Sequence, residues 1–77
     1  MTVKSVTRVR ELDVRDLAPP EPMHRVLIAL DELGSDEQLR VLHHREPFPL
    51  YATFRERGFS HRTTQLADGC FEILIWR

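Results

Sequence analysis

Apolar and polar positions along the chain switch between a period of two and a period near 3.6, and the switches mark six elements. Residues 6–14 alternate, with Leu12 and Val14 on one face and Val9 and Asp13 on the other, which predicts a first strand ending at Val14. From Pro20 onward Met23, Val26, Leu27, Leu30 and Leu33 recur at helical spacing, while His24, Arg25, Asp31 and Glu32 take the opposite side. Gly34 followed by Ser35 is the stop signal of that helix. Residues 37–44 alternate again, with Leu39, Val41 and His43 on one face and Arg40, Leu42 and His44 on the other. Pro47-Phe48-Pro49 then opens a second helix that buries Leu50, Tyr51 and Phe54. Gly58 is read as its left-handed C-cap, with Phe59 folding back on the last turn. Residues 60–66 and 70–76 predict two further strands around the turn Ala67-Asp68-Gly69.

The order is βαβαββ. Two amphipathic helices and a half-alternating sheet predict an α/β (α+β) two-layer sandwich with both helices on one sheet face. Phe71, Ile73 and Ile75 suit the helix-facing core, so Cys70, Leu74 and Trp76 point to the other face together with Leu42 and His44. That open face reads as more apolar than solvent favours. Either Trp76 folds over the sheet edge, or the face meets a partner or a second copy of the chain.

At 77 residues the chain is one domain, 1–77, close to the lower size limit for unaided folding. Its 42% hydrophobic and 30% charged residues fit a folded globule and argue against disorder. A net charge of −1 gives no long-range field toward nucleic acid or anionic lipid. The single cysteine, Cys70, rules out an intrachain disulfide and fits a reducing compartment. No apolar run approaches the ~20 residues of a membrane span, and no signal-peptide core is read at the N-terminus. A cytoplasmic protein is the expectation.

Candidate chemistry is sparse. His43 and His44 have metal and acid–base potential near neutral pH, but adjacent strand residues send their rings to opposite faces. A metal would need one of them with Glu46, His24 or His61, and no zinc-type spacing is present. The favoured structural role has His43 bonded to a backbone carbonyl and His44 exposed. Glu11 and Asp13 share a strand face, yet no glycine-rich pocket accompanies them, and a solvated strand end accounts for the pair better. Ser5, Ser35 and Ser60 belong to no nucleophile–base set. Lys4, Arg8 and Arg10, and Arg55, Arg57 and Arg62, form basic groups interleaved with acids, and a solvated charged surface suits them better than RNA binding.

Three prolines, Pro19, Pro20 and Pro22, crowd the start of the first helix; each sets φ and removes a backbone N–H. The string from Leu12 to Pro22, with the order of elements, resembles the TusA/SirA-like proteins, small cytoplasmic sulfur carriers. The resemblance implies βαβαββ topology with a four-stranded mixed sheet. Their Cys-Pro-x-Pro motif begins the first helix, and the matching residues here are Pro19-Pro20-Glu21-Pro22. Three positions fit, while Pro19 replaces the persulfide-carrying cysteine. A second block, His43 to Leu50 followed by Arg57-Gly58-Phe59, looks closer to an uncharacterised branch of that superfamily, a domain of unknown function sometimes fused to hemerythrin-like di-iron domains.

Sulfur transfer by the family route needs a low-pKa thiolate at a helix N-terminus. Pro19 supplies no sulfur, Pro20 and Pro22 supply no N–H, and Glu21 adds a negative charge there. The chain is therefore read as a non-catalytic TusA-like module that binds a protein partner or dimerises, with no cofactor. By the resemblance, its docking residues are Pro19, Pro20, Glu21, Pro22 and His24, with Trp76 marking a second surface. The alternative is a metal, haem or small ligand held by His43, His44 and Glu46 in redox or nitrogen-oxide metabolism. RNA binding is a second alternative. The expected outcome with iodoacetamide or a persulfide donor is modification at Cys70 at most, without stoichiometric onward transfer of sulfur; mass spectrometry of the treated protein checks it.

Overall fold

A computed structural model of the chain describes residues 8–77. Its elements follow the expected order: β1 (Arg8–Asp13), α1 (Glu21–Glu32), β2 (Glu37–His43), α2 (Phe48–Glu56), β3 (Ser60–Gln65) and β4 (Phe71–Trp76). Residues 6 and 7 of the expected first strand, with Lys4 and Ser5, lie outside the described residues. The four strands form one mixed sheet in the order β1-β2-β4-β3. β1 runs parallel to β2, and β4 is antiparallel to both β2 and β3. The two-layer sandwich read from the sequence is the observed architecture.

Both helices pack on the same sheet face. Val26, Leu30 and Leu33 of the α1 side and Leu50 and Phe54 of α2 meet Leu39 and Val41 of β2 and Ile73 and Ile75 of β4. On α1 the buried line is Pro22, Val26, Leu30, spaced by four, so Met23 lies about 100° away and is 37% exposed. The expectation that Met23 is a core residue is corrected by that phase. After α2, Gly58 takes φ +81°, its N–H donates to Arg55 O (3.2 Å), and Phe59 N–H donates to Phe54 O (2.8 Å). This Schellman closure returns Phe59 to the core, as the Gly-Phe pair predicted.

The open face departs from expectation. Leu42 is buried and Leu74 and Trp76 are half-buried there, but the centre of the face belongs to Arg40. Its guanidinium bonds Glu11 on β1 and Glu72 on β4, so one charged row crosses three strands between the apolar positions. Glu11 is thereby paired with a cation. Asp13 is held by Arg15 through Nε (2.9 Å) and Nη2 (2.7 Å), which lowers its pKa to about 2. Neither carboxylate is a free member of an acid–base pair.

Phe54 is fully buried and is the largest such side chain among the described residues. Phe54→Ala is expected to cost about 3–5 kcal/mol, close to the whole stability of so small a domain. Val9→Ala, at a position 56% exposed, is expected to stay within about 0.5 kcal/mol. Urea denaturation followed by circular dichroism checks both.

Candidate functional site: a groove between two proline-led helix starts

Because β1 and β2 are parallel neighbours, both strand-to-helix connections leave from the same edge of the sheet. The Pro19–Pro22 segment and the His43–Leu50 segment therefore lie side by side, although twenty residues separate them in the chain. Between them is an open groove of about 390 Å³, a volume typical of small-ligand and peptide-side-chain sites. Its apolar walls come from Pro19, Pro20, Pro22, Met23, Pro47, Phe48, Pro49 and Leu50, and its polar members are His43, His44, Arg45 and Glu46. Two sets of residues that the sequence offered as separate candidates thus share one site.

The remaining candidates are elsewhere. Glu21 is exposed and pairs with Arg25 one turn along α1 (3.4 Å); His24 is exposed on the same helix. Trp76 pairs with Ser60 at the far end of β4, whereas Phe71, opposite His43, marks the groove end; the intervening strand spans roughly 17 Å. Cys70 lies near Arg15, whose guanidinium also approaches Asp68 (4.0 Å). The sequence distance between Cys70 and the first connection concealed that proximity.

Both helices direct their N-termini at the groove, an arrangement that ordinarily offers backbone N–H groups to an anion. Here Pro20, Pro22, Pro47 and Pro49 have no N–H to offer. Glu21 N–H donates to Ala18 O (2.9 Å), Phe48 N–H to Glu46 O (3.0 Å) and Leu50 N–H to Pro47 O (2.9 Å). The prolines have turned two helix starts into apolar walls. Phe48, flanked by Pro47 and Pro49, is 66% exposed and meets Tyr51 edge-on (5.8 Å). Its sequence signal was available: Phe48 lies two residues before Leu50, off the Leu50–Phe54 line that faces the core.

The histidines do not diverge as strand alternation predicted. β2 ends at His43, and Arg45 N–H donates to His43 Nδ1 (3.2 Å), bending the chain so that His44 leaves the strand. The two rings lie 5.1 Å apart, centroid to centroid, and both line the groove. The sequence expectation of His43 bonded to a backbone carbonyl is reversed, because its Nδ1 accepts a backbone N–H. His44 is exposed, as expected, and its Nε2 accepts from Arg45 Nε (3.3 Å). Tyr51 Oη donates to Glu46 Oε2 (2.8 Å) and, with its proton so directed, accepts from Thr63 Oγ1 (2.6 Å). Burial raises the Tyr51 phenol above its ordinary value. His61 stacks on the Tyr51 ring (4.4 Å) and completes this support.

Among the described residues, no three His, Cys, Asp or Glu side chains come together as a metal ion requires. Nor is a free basic stripe formed by several of the arginines: Arg10 lies beside Glu32 (3.4 Å), Arg8 beside Glu37 (3.8 Å), and Arg57 pairs with Asp31 (2.9 Å). No helix among the described residues is long and apolar enough to cross a membrane.

Burial, then the charges of His44 and Arg45, hold the His43 imidazole below its ordinary value of 6.5. A histidine whose folded-state pKa is depressed stabilises fully above the unfolded value and loses that contribution as pH falls toward the folded one. Stability should therefore decline as pH drops below about 6.5, and the decline should be smaller in His43→Phe; urea midpoints between pH 7.5 and pH 5 measure the difference.

No curated protein and no solved structure matches the chain. The profile of an uncharacterized conserved protein family, DUF2249, matches residues 11–77, a span that contains both proline-led helix starts and every groove residue; the chain belongs to that family.

Proposed function

We propose that this chain is a non-catalytic binding module that docks a segment of a partner protein in the proline-walled groove. The observation that carries this reading is the convergence of both helix starts on one groove whose walls are apolar and rigid. Prolyl rings lose little conformational freedom on binding, so contact with them is not offset by side-chain ordering. Phe48 and Met23 add exposed apolar area at the rim.

The likeness to TusA-like sulfur carriers belongs to this proposal as well. Those carriers meet partners beside the first helix, and here the groove flanks that helix while Pro19 occupies the thiol position. The module keeps a docking place and gives up persulfide chemistry, in the cytoplasm. The open sheet face is the weaker candidate surface, since the Glu11–Arg40–Glu72 row would have to be desolvated in a dimer.

Selection of a random peptide display library on the immobilised protein tests the groove. Binders should be recovered that lose at least tenfold in affinity on Phe48→Glu and are unaffected by Val9→Glu on the open face. Binders sensitive only to Val9→Glu would transfer the function to the sheet.

A further inference from the structure

The polar atoms of the groove differ in how far they are already engaged. Arg45 Nε is turned to His44, and Glu46 Oε2 receives the Tyr51 hydroxyl, so the groove's one cation and one carboxylate each bond an uncharged partner and sum to no net charge. His43 is different. A lone pair on Nδ1 is required to accept Arg45 N–H, and in a neutral imidazole the proton must then reside on Nε2. The lowered pKa keeps the ring neutral at physiological pH. Among the described residues no buried side-chain nitrogen or oxygen lacks a hydrogen-bond partner, and the His43 bond is on Nδ1. Nε2–H is then the ring's remaining donor, on a residue that lines the groove.

A donor at Nε2 cannot serve as a metal or haem ligand without exchanging tautomers and losing the Arg45 bond. Histidines that bind metals show the opposite pattern, donating from the second nitrogen. What a neutral N–H recognises is a carbonyl oxygen. Around it, the prolyl rings present flat apolar faces. Proline-rich ligands dock in aromatic-lined grooves; here the prolines belong to the receptor, so the complementary ligand group is an aromatic ring. Met23 and Phe48 at the rim favour the same partner through sulfur–aromatic and edge-to-face contacts. Glu46 retains acceptor capacity beyond the Tyr51 bond, so the groove offers a donor and an acceptor, the complement of the C=O and N–H of a peptide backbone.

Building on the partner-binding reading, we propose that the groove takes an extended peptide segment that lays an aromatic side chain on the proline walls and accepts a hydrogen bond from His43 Nε2–H through a backbone carbonyl. The neutral occupant matches a groove whose lining carries no net charge and whose helix starts lose four N–H groups to proline. Tyr51 and Thr63 act as positioning residues for Glu46, and Arg45 N–H positions the His43 tautomer.

Nitrogen-15 NMR of the whole chain tests this directly. The imidazole spectrum should show His43 as the Nε2–H tautomer at pH 7.5. Titration with N-acetyl-tryptophan amide should shift the amides of Arg45 and Phe48 and the Nε2–H proton. N-acetyl-alanine amide, which lacks the ring, and indole, which lacks the carbonyl, should each bind at least tenfold more weakly. His43→Phe, which keeps the ring volume and removes the donor, should weaken the tryptophan probe about tenfold, equivalent to about 1.4 kcal/mol. Three results would overturn the proposal: an Nδ1–H tautomer, zinc bound at His43 with loss of the Nε2–H signal, or a tryptophan probe no tighter than its alanine counterpart. The tautomer is read on the unmodified protein, so poor folding of the variant does not blunt the test. Library binders that depend on Phe48 but carry no aromatic residue would leave the groove as the docking site and overturn only the aromatic occupant.

Discussion

The parallel pairing of β1 with β2 is the contact on which the rest of the molecule depends. β2 lies between β1 and β4 and supplies Leu39, Val41 and His43 to the helix side, so it anchors the core and ends at the groove. Were β1 antiparallel to β2, the connection into α1 would leave from the opposite edge, and the two proline segments would be a strand length apart. Parallel order also requires a crossover between the strands, which α1 supplies while covering the sheet.

At that shared edge proline has two effects from one ring. It fixes φ for the first helical turn, and it removes the N–H groups that make helix starts attractive to anions. The first-turn donors of Glu21, Phe48 and Leu50 close on nearby carbonyls. The usual electrostatic identity of a helix N-terminus is thus replaced by a hydrophobic one. The charged groups are arranged in the same spirit: Arg40 between Glu11 and Glu72, Arg15 on Asp13 and Arg45 beside His44 satisfy one another locally.

Much of the fold was legible from local pattern. The Pro22–Val26–Leu30 and Leu50–Phe54 lines, the Gly58-Phe59 closure and the alternation of Phe71, Ile73 and Ile75 each follow from a repeat and its punctuation. Met23 was misplaced because five apolar residues on α1 define a band wider than the buried line. The His43–His44 pair was misjudged because strand alternation was extended one residue past the end of β2. A side-chain bond from His43 to Arg45 N–H bends the chain there, and periodicity carries no trace of it. The row on the open face joins residues far apart in the chain, and the Tyr51–Glu46–Thr63 bonds cross from the loop before α2 to β3, so no repeat along one element reveals either.

By itself the amino-acid order determined the elements, the two-layer arrangement and the rigidity of both helix starts, since each depends on side-chain type and spacing along the chain. Tertiary structure alone decided that the two proline segments share a groove, that both histidines line it, and that His43 Nδ1 accepts the Arg45 N–H. Those outcomes depend on strand direction and neighbour order, which are settled by burial summed over the whole chain rather than by any segment of it.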